Sequence, residues 1–217
     1  MSTTYEMTPK RRFLSGILGG RVDRPPVGSV TSVADVEQMH RTGAFFPDVH
    51  LDGGKMARLA AGAHEILGYD AIPPYFSVQA EAGALGCLVD WGDVENMPVE
   101  RSHPWSEPEQ VVIPDDFLQR PSTKAVLDAI SILRHQYGHK VAIVGKVMGP
   151  WTLSYHVHGV QDFLAETLLD PPRVRVFLDR LKEVTVLFGL AQIRAGADAL
   201  CLADHATGDL VGPWTYR

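Results

Sequence analysis

The sequence predicts an α/β chain of the (β/α)8 TIM-barrel class: about four βα units, an N-terminal half-barrel, preceded by a helix. Three observations carry this. Apolar runs of strand length alternate with stretches of helical period, the rhythm of a parallel sheet joined by crossover helices. The run Val141-Ala142-Ile143-Val144 is continuously apolar between Gly138 and Gly145, as a strand buried on both faces should be. The first strand-like run is followed by TSVADVEQMH, with no Gly-x-Gly-x-x-Gly, so an open dinucleotide-binding sheet lacks its phosphate turn.

Taken in order, Thr8-Pro9 opens a helix with a hydroxyl cap and a proline at the first helical position. Phe13, Leu14, Ile17 and Leu18 follow at helical spacing, and Gly19-Gly20 ends the element. Pro25-Pro26 lead into Val27 to Val30, expected as the first strand. A second helix is expected over about 52–67, with Met56, Leu59, Ala63 and Ile66 on one face and Gly68 as its exit. Residues 72–78 (IPPYFSV) are expected as the second strand, with the prolines at its start. The segment 88–120, punctuated by Pro98, Pro104, Pro108 and Pro114, has no clear period and is expected as an irregular excursion. A helix from Pro121 to Gly138 leads to the third strand, 141–147. Helices over about 161–169 and 172–195 follow, the second with Val174, Phe177, Leu178, Leu181, Val184 and Phe188 on one stripe. Gly196 closes it, and Ala197 to Ala203 is the fourth strand. No repeat or second domain interrupts residues 1–217.

Composition narrows the function. The 217 residues are 45% hydrophobic and 21% charged, enough for a sizeable core. The net charge of −6, with both signs interspersed, leaves no basic stripe for nucleic acid. The N-terminal stretch MSTTYEMTPKRRFLSGIL puts charge before apolar residues, but Ser15, Gly16, Gly19 and Gly20 break it up; an amphipathic helix is expected, not a signal peptide. No run is long enough to span a bilayer, so a soluble cytoplasmic protein without membrane contact is expected. Cys87 and Cys201 are too few for a disulfide framework and form no Cys-x-x-Cys pair, so no metal site is expected within the chain.

In a parallel barrel the chemistry sits at the carboxyl ends of the strands. That rule selects Ser77, Gln79 and Glu81 after the second strand; Lys146, Met148 and 149–155 after the third; and Asp204, His205 and Thr207 after the fourth. Asp204 and His205 are the expected catalytic pair, because polar residues ending an apolar strand must reach solvent, a partner or a ligand. The competing reading has Asp204 capping the next turn and His205 packed. Tyr155 offers a phenol donor or a core ring, and Glu81, in the small-residue run AEAGALG, a pocket carboxylate or a close-packed helix start. His135, His139, His156 and His158 are expected at the surface. His64-Glu65 starts like a zinc-protease motif, but Gly68 stands where its second histidine belongs.

At 149–159, GPWTLSYHVHG resembles a signature of the uroporphyrinogen decarboxylase superfamily. Pro150, Trp151, Thr152, Leu153, Tyr155 and Gly159 match it, and His158 departs where an acid or lysine is expected. The opening MTPKRRFLSGILGGRVDRPPV also looks like that superfamily's first helix and the approach to its first strand. Two features set the chain apart from the decarboxylases themselves. Their arginine-rich loop after the first strand is replaced by TSVADVEQMHRTGAFFPDVHLD, which keeps only Arg41, and their Phe-Ser-Asp is here Phe76-Ser77-Val78. Without guanidinium clamps a polycarboxylate is poorly neutralised. HRTGAFFPDVHLDGGKMARLA, PYFSVQAEAGALGCLVDWGD and LADHATGDLVGPWTYR look instead like the corrinoid-dependent methyltransferase branch.

The resemblance implies methyl transfer between a corrinoid on a partner protein or domain and a small thiol or similar acceptor. It also implies a zinc ion whose His-x-Cys and Cys ligands are expected beyond residue 217. Trp151, Tyr155, Glu81 and Ser77 would bind substrate. A uroporphyrinogen decarboxylase is the alternative, and a non-catalytic half-barrel the third reading.

Overall fold

The computed structural model describes residues 6–216; residues 1–5 of the N-terminal stretch, and Arg217, lie outside them. Helix α1 spans Pro9–Ile17, and the Thr8 hydroxyl accepts from the Arg11 amide at 3.3 Å. Helix α2, Val36–Thr42, was not among the elements expected from periodicity. Its signal is local: Asp35 and Gln38 form a reciprocal capping box, and Gly43 closes the helix at φ 64°. Helix α3, Gly53–Glu65, begins under the Asp52 carboxylate, which accepts from the Lys55 amide at 2.9 Å.

Strand β1 is Ala71–Ile72 and helix α4 is Ala80–Ala84. The excursion carries more order than its prolines suggested: β2 (Val89–Asp90) and β3 (Val99–Glu100) pair as a small antiparallel ribbon, and two 3-10 turns follow. Then come α5 (Pro121–Tyr137), β4 (Ala142–Met148), α6 (Pro150–His158), α7 (Val160–Leu169), α8 (Pro171–Ala195), β5 (Ala199–Ala203) and α9 (Pro213–Tyr216). Proline starts and glycine stops bound α1, α5 and α8 close to where they were expected.

Strands β1, β4 and β5 form one parallel sheet in that order, with Ala71 opposite Ala142 and Lys146 opposite Cys201. They are consecutive staves of the expected barrel, but two strand expectations need correction. Val27–Val30 joins no ladder. The Val27 amide donates to Asp70 Oδ2 at 2.8 Å, so a carboxylate takes the donor a neighbouring strand would have used. The Val27 carbonyl accepts from the Asp70 amide at 2.6 Å, so the segment lies beside β1 without pairing along it. The second strand stops after Ile72 instead of running to 78, because Pro73 and Pro74 have no amide to donate and so end the strand.

All seven residues of β4 are buried, as its continuous apolar run implied. Its two faces meet different partners. Ala142 and Val144 pack with Phe13 of α1 and Ala71. Ile143 and Val147 join the large core with Leu59, Ile130, Leu133 and Phe188. At the amino ends of the strands, Arg12, only 3% exposed, ties α1 to the sheet through Asp70 (2.7 Å) and Asp23 (2.6 Å). No helix among the described residues is long and apolar enough to cross a membrane.

Candidate active site at the strand carboxyl ends

The carboxyl ends of the three strands carry two groups of polar side chains, joined through the end of β4. The first is buried. Glu81, in the first turn of α4 and fully inaccessible, accepts the Tyr75 hydroxyl and, at 2.9 Å, the Met148 amide. Burial pushes the Glu81 carboxyl up to about 7, partly offset by those two hydrogen bonds and by the charge of Lys146. Burial also lowers the Lys146 ammonium, against the opposing influence of Cys201 and Glu81. Lys146 Nζ lies 5.4 Å from the centre of the Tyr75 ring.

The second group forms where α6 leaves β4. Gly149 donates to the Ala203 carbonyl at 2.7 Å, and Pro150 starts the helix. Neither residue has a side chain that can cap, so the cap comes from β5. Asp204 Oδ1 accepts from the Thr152 amide at 2.7 Å and the Thr152 hydroxyl at 2.9 Å. The close approach requires glycine at 149: a Cβ there would sit 2.2 Å from the Asp204 carboxyl group. His205 donates its amide to Thr152 Oγ1 at 2.8 Å, and its carbonyl accepts from Tyr155 at 3.3 Å. Trp151 Nε1 donates to the Tyr155 hydroxyl at 2.5 Å. Trp151 and Tyr155 pack edge-on against Phe163, in a satellite cluster with Val174 and Val211. A groove of about 550 Å³ runs past Trp151, Asp204, Val174, Leu178 and Trp214.

Tyr155, Asp204 and His205 therefore meet on one rim, but through Thr152, which the sequence reading had not singled out. Asp204 is a cap after all, though for α6 from across the strand ends instead of for its own following turn. Tyr155 and Trp151 combine a hydrogen-bonded tip with a packed ring. Glu81 and Ser77 lie with the first group. Ser77 donates to Gln79 Oε1 at 3.0 Å, Gln79 donates to Glu100 at 3.1 Å, and Glu100 meets His156 Nδ1 at 3.0 Å. His156 and His158, expected at the surface, are both buried. They secure the excursion to α6 and α7: His158 Nδ1 meets the Trp105 carbonyl at 2.9 Å, and its Nε2 lies 3.1 Å from Glu166. Tyr75 was hidden inside the expected second strand; reading Pro73-Pro74 as a strand end would have exposed it. Arg41, the one arginine kept after the first strand-like run, is exposed and lies 3.9 Å from Glu37 on its own helix.

Parallel staves with ionisable side chains gathered at their carboxyl ends define a TIM-barrel domain of the kind that carries active sites. The sequence matches the Uroporphyrinogen decarboxylase (URO-D) family over residues 8–217, and the chain belongs to that family. It is 36% identical to a Methylated-thiol--coenzyme M methyltransferase of Methanosarcina mazei, over 98% of the chain and 58% of the relative. It is 33% identical to the Methylcobamide:CoM methyltransferase MtaA of Methanosarcina barkeri, over 98% of the chain and 63% of the relative. A uroporphyrinogen decarboxylase of Geotalea uraniireducens is 26% identical over 95% of the chain and 62% of the relative. A solved methyltransferase structure from Methanosarcina mazei superposes with a TM-score of 0.92 at 34% identity, covering 98% of this chain and 64% of that one. The chain thus spans about three fifths of the length of these relatives.

Proposed function

We propose that this chain belongs to a methyltransferase moving a methyl group between a corrinoid, carried on a partner protein or domain, and a small thiol or similar acceptor. The observation that carries it is the greater similarity to named coenzyme M methyltransferases, 31–36% identical over 98% of the chain, than to decarboxylases, 26–28%. The geometry agrees. The residue left from the decarboxylases' arginine loop, Arg41, faces solvent beside Glu37, and no arginine follows the strand ends at 77–81, 146–155 or 204–207. A polycarboxylate would find no guanidinium on the strand ends themselves, and the one arginine lining the groove, Arg175, comes from α8.

The corrinoid supplies the methyl group when bound. The chain's own contribution is a rim on which Trp151 bounds the groove with Tyr155 holding its indole, Asp204 and His205 orient the acceptor, and Ser77 and Glu81 lie at the β1 side. Among the described residues no group of three His, Cys, Asp or Glu can hold a metal. This reading places the zinc ligands beyond residue 217. Burial pushes Cys87 up to about 12, which leaves its thiol unsuited as ligand or nucleophile at neutral pH. A cytoplasmic location goes with this reading.

The test compares two reactions with protein expressed from its complete natural reading frame. Thiol-dependent loss of the methyl group from methylcobalamin, followed by absorbance, is expected. Decarboxylation of uroporphyrinogen without methyl transfer would overturn the assignment.

A further inference from the structure

Lys146 is the feature of the strand ends that the fold alone does not explain. It is 7% exposed, and among the described residues its ammonium has neither an ion pair nor a hydrogen bond, only the face of Tyr75 at 5.4 Å. A largely desolvated ammonium with no hydrogen-bonded counter-ion is costly to keep, and an anion docking on it would offset that cost. Its position is nevertheless built with care. The fully buried Gln192 of α8 accepts from the Lys146 amide at 2.9 Å and donates to its carbonyl at 2.7 Å. That approach requires Gly145, since a Cβ there would lie 2.5 Å from Gln192 Oε1. The ring beneath is held as well, its hydroxyl bonded to Glu81, which the Met148 amide anchors.

We propose that Lys146 is an anion-recognition residue of the substrate site, on whose ammonium the compact oxyanion of a small acidic molecule docks above the Tyr75 ring. This deepens the reading above and rests on it only in taking the strand ends as the place where substrate enters. The titratable groups facing Lys146 are Tyr75, Glu81 of α4 and Cys201 of β5. With Glu81 protonated, the cluster carries one positive charge; with Glu81 ionised, the carboxylate competes with the incoming anion. Anion binding therefore strengthens as pH falls through the Glu81 range, about 7.

The full-length natural protein, labelled with 13Cε-lysine, tests this without any methyl transfer. Propionate is the probe and propionamide its neutral counterpart. The Lys146 resonance, assigned by its loss in Lys146→Met or, if that variant folds poorly, Lys146→Arg, is expected to move saturably with propionate and not with propionamide. Binding at pH 6 is expected to be roughly five- to tenfold tighter than at pH 8. Glu81→Gln is expected to keep the tighter binding at both pH values. An unmoved Lys146 resonance in the wild-type protein, an equal response to propionamide, or an unchanged pH dependence in Glu81→Gln would each overturn the assignment. Methyl transfer by a protein whose Lys146 ignores propionate would overturn this inference and leave the proposed function standing.

Discussion

His50 shows what burial does to one titratable side chain. It is 2% exposed, stacked on Phe46 at 4.6 Å and near Trp91 at 5.8 Å, with neither ring nitrogen hydrogen-bonded. Burial holds its pKa down to about 4. The unfolded chain takes up a proton near the ordinary imidazole value, whereas the folded chain does not until pH nears 4. Above that window both states are neutral and the group adds no pH dependence. As pH falls through it, the unfolded state binds the proton first and stability drops, by up to about 3 kcal/mol. Urea denaturation between pH 7 and pH 4 should show this fall in the wild type and a shallower one in His50→Phe. Equal slopes in the two proteins would mean that His50 is not held neutral. The sequence around it, DVHLD, has no feature that separates such a histidine from a surface one, because Phe46 alone is local and the second ring against it, Trp91, comes from a distant segment.

At the scale of the element, α6 shows a helix whose start is completed by a strand distant in sequence. Its first residues, Gly149-Pro150-Trp151, supply no side-chain acceptor, and Asp204 bonds the Thr152 amide across 52 positions. Removing this cap in Asp204→Ala should cost about 1–2 kcal/mol in thermal or urea unfolding. Asp204→Asn, which keeps an acceptor oxygen, should cost less. If asparagine restores stability while the proposed methyl transfer of the full-length protein falls, the carboxylate has a use in catalysis beyond the cap. If both variants are as stable as wild type, the capping assignment fails. The same geometry explains why the cap was not legible in the sequence, where α6 itself was also not among the expected helices. Proline at the first position and Gly159 at the end are local signals, but the acceptor arrives only when β5 pairs with β4.

At the scale of the molecule, β5 is an edge of the described sheet, and its flank is apolar. Leu202 is 61% exposed, and Val186, Leu190 and Ile193 on α8 are about half exposed. An unpaired strand beside exposed leucine and isoleucine is a surface that associates. The 217-residue polypeptide on its own should self-associate with concentration in light scattering, and Leu202→Glu should reduce this while leaving the far-ultraviolet circular dichroism unchanged. A monodisperse wild-type polypeptide at high concentration would contradict the expectation. The barrel class itself was legible from the alternation of apolar runs and helical periods. The number of strands was not, since Val27–Val30 looks like a strand and is held by Asp70 instead.

The sequence by itself determined the elements whose signals are local. Proline starts, glycine stops and helical periodicity marked α1, α3, α5 and α8, and unbroken apolarity marked β4. It also determined which residues stand at strand ends, and so brought Asp204, His205, Tyr155 and Glu81 into view. Only the tertiary structure decided what those residues do. It turned Asp204 into the cap of α6, buried His156 and His158 against the excursion, and set Lys146 over the ring of Tyr75 with Glu81 behind it. The physical reason is range. Helix formation and termination depend on neighbours within a few residues, whereas a hydrogen-bond partner, a counter-charge or a dry environment comes from segments many tens of residues away, and exists only once the sheet is assembled.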